Sequence, residues 1–220
     1  MKELVLSLDT THEFGSLALL AGEEVLEEVL LHSPEGFGHI LYGQLGKLLA
    51  RHQAAVRQVA CFAAASGPGS FTGVRIGLTA VKGLAEATAR PVVAVSNLAA
   101  MASLGTLSLR APLLDARRGE IYAALYDAQG RAVIPEAVLP FREWLQRLPA
   151  GEIELLAMDF GPFRDALPES AHLTTVPRAL AAAVGRIAWR KWKAGQAMDP
   201  AAVDANYVRR ADAELFWKDR

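Results

Sequence analysis

The chain has 220 residues, of which 52% are hydrophobic and 21% charged, and its formal net charge is −1. These proportions exclude a disordered protein, and the length suits one large domain or two small ones. The single cysteine, Cys61, excludes an internal disulfide framework and multi-cysteine zinc sites. The apolar runs are shorter than the ~20 residues of a bilayer-spanning helix, and the first residues lack a signal-peptide cleavage site. We therefore expect a cytoplasmic protein with no membrane association.

The first half of the chain predicts three strands followed by alternating helices and strands, because short apolar runs are joined by tight turns before helical spacing begins. In chain order, the predicted elements are strands at 4–8, 14–20 and 25–31, a helix at 37–53, a strand at 59–65, a helix at 72–89, a strand at 91–95 and a short helix at 97–104.

The second half repeats this order. The predicted elements are strands at 111–114, 120–126 and 132–139, a helix at 141–147, strands at 153–158 and 174–176, and a helix at 178–193. Each half therefore approximates strand-strand-strand-helix-strand-helix, which predicts an α/β protein built by structural duplication. We expect an N-terminal subdomain at 1–106, a smaller C-terminal subdomain at 107–195 and a tail at 196–220, and the chain is basic from residue 178 onward.

The most informative segment is the loop Gly-Pro-Gly-Ser-Phe-Thr-Gly at residues 67–73, which joins a predicted buried strand to a helix. Backbone N–H groups at such a helix start can hold an anion. However, Val74 replaces the lysine of a P-loop, and Thr72 replaces a glycine of the dinucleotide fingerprint. Composition alone favours a tight turn with Ser70 or Thr72 capping the helix.

Two further segments carry charged groups suited to ions. Asp9 ends the first predicted strand, where its carboxylate could hold hydrated magnesium or form an ordinary turn. Residues 115–120 include two arginines suited to an anion. The candidate anion or nucleotide residues are Asp9, Gly67, Gly69, Ser70, Thr72 and Arg118.

Small and apolar residues line two of the predicted helices. They are Gly43, Gly46 and Ala50 on the helix at 37–53, and Gly73, Ile76, Ala80, Gly83, Leu84 and Ala87 on the helix at 72–89. Interior helix glycines cost roughly 0.8–1.0 kcal/mol each relative to alanine, so close packing is a plausible compensation. The sequence leaves open whether this packing is intramolecular or involves a partner.

The residues alone support no catalytic site. The five histidines form no His-Glu-x-x-His pair, so their spacing predicts no metal centre. Near the two arginines of the 115–120 segment, no residue can be identified as a base or a nucleophile.

Several segments together resemble the TsaB family, also called YeaZ, over essentially the whole chain. They are Leu-Ser-Leu-Asp-Thr-Thr at 6–11, Gly-Pro-Gly-Ser-Phe-Thr-Gly-Val-Arg-Ile-Gly at 67–77, Ala-Val-Lys-Gly-Leu-Ala at 80–85, Asp-Ala-Arg-Arg-Gly-Glu-Ile-Tyr at 115–122 and Asn-Tyr-Val-Arg at 206–209. The resemblance implies an actin-like, ribonuclease-H-like fold of two related subdomains.

The resemblance also implies a role without catalysis. Members of this family pair with TsaD and the ATPase TsaE, which place a threonylcarbamoyl group on the adenosine next to the anticodon of tRNA. TsaD and TsaE use ATP and magnesium, and this chain is expected to bind no cofactor alone and to have no peptidase activity. The two helices with small residues are the implied interface with TsaD and, in its absence, with a second copy. Contact with tRNA is expected mainly through the complex.

An alternative function is that of an actin-like nucleotide hydrolase, with Asp9 at magnesium and with Gly67, Gly69 and Ser70 near phosphate. Two departures from the family pattern bear on this alternative. Thr11 follows Asp9-Thr10 where the family has serine, and residues 32–36 contain extra residues before the first helix. Both weaken a nucleotide or metal role for the first loop. Calorimetry with ATP and magnesium would separate the two functions.

Overall fold

The computed structural model describes residues 3–209. The strands are β1 (Leu4–Asp9), β2 (Phe14–Ala21), β3 (Glu24–His32), β4 (Val59–Ala65), β5 (Val92–Val95), β6 (Leu109–Arg117), β7 (Glu120–Asp127), β8 (Ala132–Pro140), β9 (Glu154–Ala157) and β10 (His172–Thr175). The helices are α1 (Leu41–Arg51), α2 (Phe71–Thr88), α3 (Asn97–Ala102), α4 (Phe141–Arg147) and α5 (Ala181–Lys193). Short 3-10 turns lie at Phe37–His39, Val56–Gln58, Gly161–Ala166 and Pro200–Ala202.

The described chain forms two compact units, each built on one five-stranded sheet. Among the described residues, the first unit contains residues 3–100 and 177–205, and the second contains residues 101–176 and 206–209. The sheet orders are β3-β2-β1-β4-β5 and β10-β9-β6-β7-β8, so the two units arrange their strands identically. In each, the first three strands pair antiparallel and the first strand pairs parallel with the fourth. The predicted α/β duplication is confirmed.

The predicted division of the chain differs from the observed one. Helix α5, expected in the C-terminal subdomain, belongs to the first unit, where it crosses the sheet. Between β9 and β10 the second unit has the 3-10 turn Gly161–Ala166, where the first unit has α2 between β4 and β5. The described part of the second unit therefore lacks the last helix of the predicted pattern. The predicted tail, 196–220, belongs partly to the first unit, and its residues 210–220 lie outside the described residues.

The first sheet separates two packed layers, because side chains alternate between the faces of a strand. Leu6 and Leu8 of β1 are fully buried in one cluster with Leu45 of α1 and Val81 of α2. The intervening Ser7 points the other way, and its Oγ donates to the carbonyl oxygen of Ala181 in α5 at 2.7 Å. Helices α1 and α2 therefore cover one face of the sheet, and α5 covers the other.

Close contacts fix α5 on the first sheet. Ser16 Oγ accepts from the backbone N–H groups of Leu180 and Ala181, at 3.1 and 2.9 Å, and Glu28 Oε1 accepts from that of Ala182 at 2.7 Å. A Cβ at Gly185 would lie only 2.4 Å from Leu20 Cδ1. The glycine thus allows α5 to approach the sheet, which explains why this helix joins the first unit.

Removal of the Ser16 hydroxyl is expected to destabilise the first unit. Ser16→Ala leaves two buried N–H groups at the start of α5 without their acceptor, and the expected loss in the free energy of unfolding is about 1–2 kcal/mol. Urea titration followed by circular dichroism measures this loss. Ser108→Ala, at an exposed serine, is the control and should stay within about 0.5 kcal/mol of the native protein. Equal stability of the two variants would contradict the capping role.

Candidate functional site

The exposed sides of α1 and α2 form the candidate site, which we call the helix-pair face. Five of the predicted interface residues are exposed there: Gly43, Gly46 and Ala50 on α1, and Gly83 and Ala87 on α2. Within residues 3–209, no atom lies within 4 Å of a Cβ built at Gly43, Gly46 or Gly83, apart from chain neighbours and the helix's own backbone. Intramolecular packing therefore does not require these three glycines.

The other predicted interface residues have intramolecular roles. Gly73 is buried, and a Cβ there would lie 1.9 Å from the carbonyl oxygen of Thr10. Ala80 is 2% exposed inside the core cluster, and Ile76 and Leu84 are half-buried against it. The assignment of Gly73 to an interface is therefore wrong, because this residue faces the interior of the first unit. Ala80 packs mainly into the core but also lines the groove described next.

An open groove of about 460 Å³ lies between the N-terminal turns of α2 and the start of α1. Its lining residues are Gly38, Leu41, Tyr42, Phe71, Thr72, Arg75, Ile76, Thr79 and Ala80. The Tyr42 and Phe71 residues are 56% and 43% exposed, which is unusual for large aromatic groups. The Arg75 guanidinium carbon lies 3.8 Å from the Phe71 ring centroid. The groove thus joins apolar surface to one cationic group.

Sequence reasoning missed the aromatic residues of this groove. Tyr42 lies next to the apolar stripe of α1 rather than within it, and this position was the signal in the sequence that its side chain would be exposed. Phe71 and Arg75 are four residues apart, the spacing at which side chains meet on a helix surface. The groove itself depends on how α1 packs beside α2, which periodicity does not predict.

The glycine-rich loop is fastened to the end of β1. Ser70 N donates to the carbonyl oxygen of Thr11 at 2.7 Å, and Thr10 Oγ1 donates to that of Gly73 at 2.7 Å. A Cβ at Gly69 would lie 2.6 Å from the Thr11 oxygen. The peptide bond between Gly67 and Pro68 is cis. The chain's own backbone therefore occupies the space that the glycines open.

Capping of α2 follows the sequence prediction in part. Ser70 is the N-cap residue, and its Oγ accepts from the N–H of Gly73 at 3.3 Å. Thr72 is exposed in the first turn and lines the groove. The prediction that this loop is a strand-to-helix turn is therefore confirmed, and the residue that caps the helix is Ser70.

The buried carboxylate of Asp9 is engaged by neighbouring groups. Its Oδ1 accepts from the N–H and hydroxyl of Thr11, at 2.8 and 2.6 Å, and its Oδ2 lies 3.4 Å from Asn97 Nδ2. Asn97 also bonds the loop, since its Oδ1 accepts from Gly67 N at 3.0 Å. Burial lowers the pKa of His12, against the opposing effect of Asp9. Asn97, which the sequence did not single out, connects this turn to the glycine-rich loop.

The predicted anion residues do not belong to a single unit. Asp9, Gly67, Gly69, Ser70 and Thr72 lie in the first unit, whereas Arg118 is exposed in the second, at the turn between β6 and β7. Within the described chain, no group of three or more His, Cys, Asp or Glu side chains could hold a metal ion. No helix in the described part of the chain is long and apolar enough to cross a membrane.

The strand order and the duplicated units define an actin-like α/β protein. One solved structure with this fold is the activator of the 2-hydroxyisocaproyl-CoA dehydratase from Clostridium difficile, with a TM-score of 0.53, 9% identity, and coverage of 89% of this chain and 97% of that one. This likeness concerns the fold alone.

The sequence of the chain also defines its family. The chain belongs to the family described as TsaD, tRNA N6-adenosine threonylcarbamoyltransferase, whose model matches residues 38–186. YeaZ from Pseudomonas aeruginosa is similar, with a TM-score of 0.81, 30% identity, and coverage of 93% of this chain and 100% of that one. The Bacillus subtilis tRNA threonylcarbamoyladenosine biosynthesis protein TsaB is 32% identical over 149 residues, which span 66% of this chain and 65% of that protein, just under two thirds of its length. These relatives confirm the resemblance to TsaB and YeaZ.

Proposed function

We propose that this chain is the non-catalytic subunit that pairs with TsaD, together with TsaE, in the threonylcarbamoylation of the adenosine next to the anticodon of tRNA. The B. subtilis relative is named for this biosynthesis, and the matching family model is that of the transferase. The observation that carries the proposal is the helix-pair face, with three glycines and an apolar groove on its exposed side.

The glycines support a binding role through their energetic cost. Gly43, Gly46 and Gly83 each lower helix stability by about 0.8–1.0 kcal/mol relative to alanine, and no described neighbour requires the missing Cβ. A partner helix that packs at the usual 8–10 Å interaxial distance would use the space that they leave. The three glycines together therefore lower the stability of the free chain, and in return they allow a partner helix to approach closely.

The size of the face also suits a protein partner. With 18 and 11 residues, α2 and α1 are about 27 and 16 Å long, at a rise of about 1.5 Å per residue. Specific interfaces bury about 800 Å² on each partner, which requires an extended surface such as that of two neighbouring helices. Tyr42 and Phe71 are both exposed, and aromatic side chains contribute strongly to binding because each buries a large apolar area at an interface.

The charged residues of the face favour attraction to an acidic surface. Lys47 and Arg75 are exposed on α1 and α2, with Glu86 as the exposed acidic residue of α2. Arg51 is bound to Glu27 of β3, with 2.6 Å between Nη2 and Oε1, and this contact lowers the pKa of Glu27. We propose TsaD as the principal partner of this face. We also propose that a second copy of the chain occupies the face when TsaD is absent, through the apolar groove and the glycines rather than through these charges.

The hydrogen bonds and close packing around the glycine-rich loop support a non-catalytic role. The Asp9 carboxylate is bound by Thr11, and the backbone of Thr10 and Thr11 fills the space beside Gly69 and Gly73. We propose that the complex uses ATP and magnesium through TsaD and TsaE and acts in the cytoplasm, and that this chain contacts tRNA mainly within the complex.

A reconstituted modification reaction tests the proposed function. Purified TsaD and TsaE are incubated with unmodified tRNA, ATP, magnesium and the threonylcarbamoyl donor, with and without this chain, and the modified nucleoside is measured by mass spectrometry. We expect product only when the chain is present. Equal product without the chain would contradict the proposal. The chain tested alone with the same tRNA should yield no product.

A further inference from the structure

The tip of the β6–β7 hairpin carries two arginines in an unfavourable backbone conformation. Arg117 pairs with Glu120, which leaves Arg118 and Gly119 as a two-residue loop. The φ angles of Arg117, Arg118 and Gly119 are 65°, 57° and 78°. All three residues are exposed. We call residues 117–119 the arginine tip.

Other residue types would form this turn more favourably. A two-residue hairpin loop with positive φ at both positions favours Asn-Gly or Asp-Gly, because asparagine, aspartate and glycine tolerate left-handed backbone. Arg117 is the second residue of a bulge, since Ala116 is inserted between the pairs of Asp115 and Arg117. Arg117 has a positive φ, at which glycine or asparagine would be less strained than arginine. Two successive arginines at positive φ therefore make a strained turn, and strained backbone of this kind clusters at functional sites.

The chain also holds the tip in place. Arg209 Nη1 donates to the carbonyl oxygen of Ala116 in the bulge at 2.8 Å, and the Arg209 guanidinium pairs with Glu120. The guanidinium carbon of Arg209 lies 5.6 Å from the Tyr122 ring centroid. Asp115 Oδ1 accepts from the backbone N–H of Arg117 at 2.8 Å. Arg209 is therefore a positioning residue for the tip.

The charges at this end of the hairpin are positive on balance, with the guanidinium groups of Arg117, Arg118 and Arg209 against the carboxylates of Asp115 and Glu120. A guanidinium group matches phosphate oxygens with two parallel N–H donors, and arginine is the preferred residue for nucleic-acid backbones. We propose that the arginine tip binds the phosphate backbone of tRNA. This inference rests on the tRNA-modification role proposed above.

Asparagine at position 118 separates binding from folding. Arg118→Asn removes the charge but suits the left-handed turn, so we expect the melting temperature to rise while tRNA affinity falls. With fluorescently labelled unmodified tRNA and the full chain in complex with TsaD, the expected loss of affinity is about threefold to tenfold. The slope of log K against log salt should fall in magnitude by about 0.7–0.9, the contribution of one phosphate contact.

Two further variants serve as controls. Arg118→Lys keeps the charge and should therefore retain the salt slope, but it should lose the part of the affinity that the two parallel guanidinium donors supply. Arg142→Gln removes an exposed arginine from α4 and should leave tRNA binding unchanged. TsaD binding is measured separately for every variant, so that a failure of the proposed function is distinguishable from a failure of this inference.

Three outcomes would overturn the inference. One is unchanged tRNA affinity and salt slope in Arg118→Asn. Another is a loss of affinity together with a lower melting temperature, since Arg118 would then support the fold. The third is weaker TsaD binding with intact tRNA binding, which would assign the tip to an acidic protein surface.

Discussion

Alanine at Gly73 is expected to lower the free energy of unfolding by about 3 kcal/mol or more, at the upper end of the usual cost of overpacking. The added Cβ would lie 1.9 Å from the Thr10 carbonyl oxygen and 3.0 Å from its carbonyl carbon, and both are backbone atoms of a buried turn. Relief of the clash would also break the 2.7 Å bond from Thr10 Oγ1 to the Gly73 oxygen.

Gly83→Ala is the matched control in the same helix. Within the described chain, a Cβ at Gly83 meets nothing within 4 Å, so the substitution should raise the free energy of unfolding by about 0.8–1.0 kcal/mol through helix propensity. Urea titrations of both variants measure the difference. Similar effects of the two substitutions would contradict the assignment of Gly73 to the interior and of Gly83 to the surface.

Arginine at Gly83 is expected to abolish pairing with TsaD while the free chain stays folded. The long charged side chain would project from the helix-pair face into the space that a partner helix occupies, so we expect the dissociation constant to rise by at least about 100-fold, equivalent to about 2.7 kcal/mol. Arginine also forms helices better than glycine, so the melting temperature should not fall. Calorimetric titration with TsaD and thermal unfolding measure the two effects.

Gln129→Arg provides the comparison for this variant, because Gln129 is exposed in the second unit, outside the helix-pair face. Its affinity for TsaD should equal that of the native chain. Unchanged affinity in Gly83→Arg would show that TsaD binds elsewhere.

The order of the elements could be predicted because it follows from local patterns. Short apolar runs between turns specify β1 to β4, and the periodicity around Leu45 and Leu48 specifies α1. The sheet on which α5 packs could not be predicted, because its apolar stripe suits either sheet. The packing of Gly185 against Leu20 and Ser7 determines it, and these residues are far apart in the sequence.

The glycines show why the site was predicted only in part. Gly73 and Gly83 lie in the same small-residue pattern of α2, yet one packs against the β1 turn and the other faces outward. Sequence spacing alone cannot distinguish them, because the difference arises from how the loop at 67–73 folds back onto Thr10 and Thr11. The hydrogen bonds of Asn97 to this turn are equally non-local.

Site-directed cross-linking tests most directly whether the helix-pair face receives TsaD. The only native thiol, that of Cys61, is buried in β4, and burial raises its pKa to about 12, so a cysteine introduced at Gly46 becomes the reactive one. With a photoactivatable maleimide on Gly46→Cys, we predict a covalent product with TsaD, and with the same label on Gln129→Cys we predict none. Capture of TsaD from position 129 but not from position 46 would contradict the account.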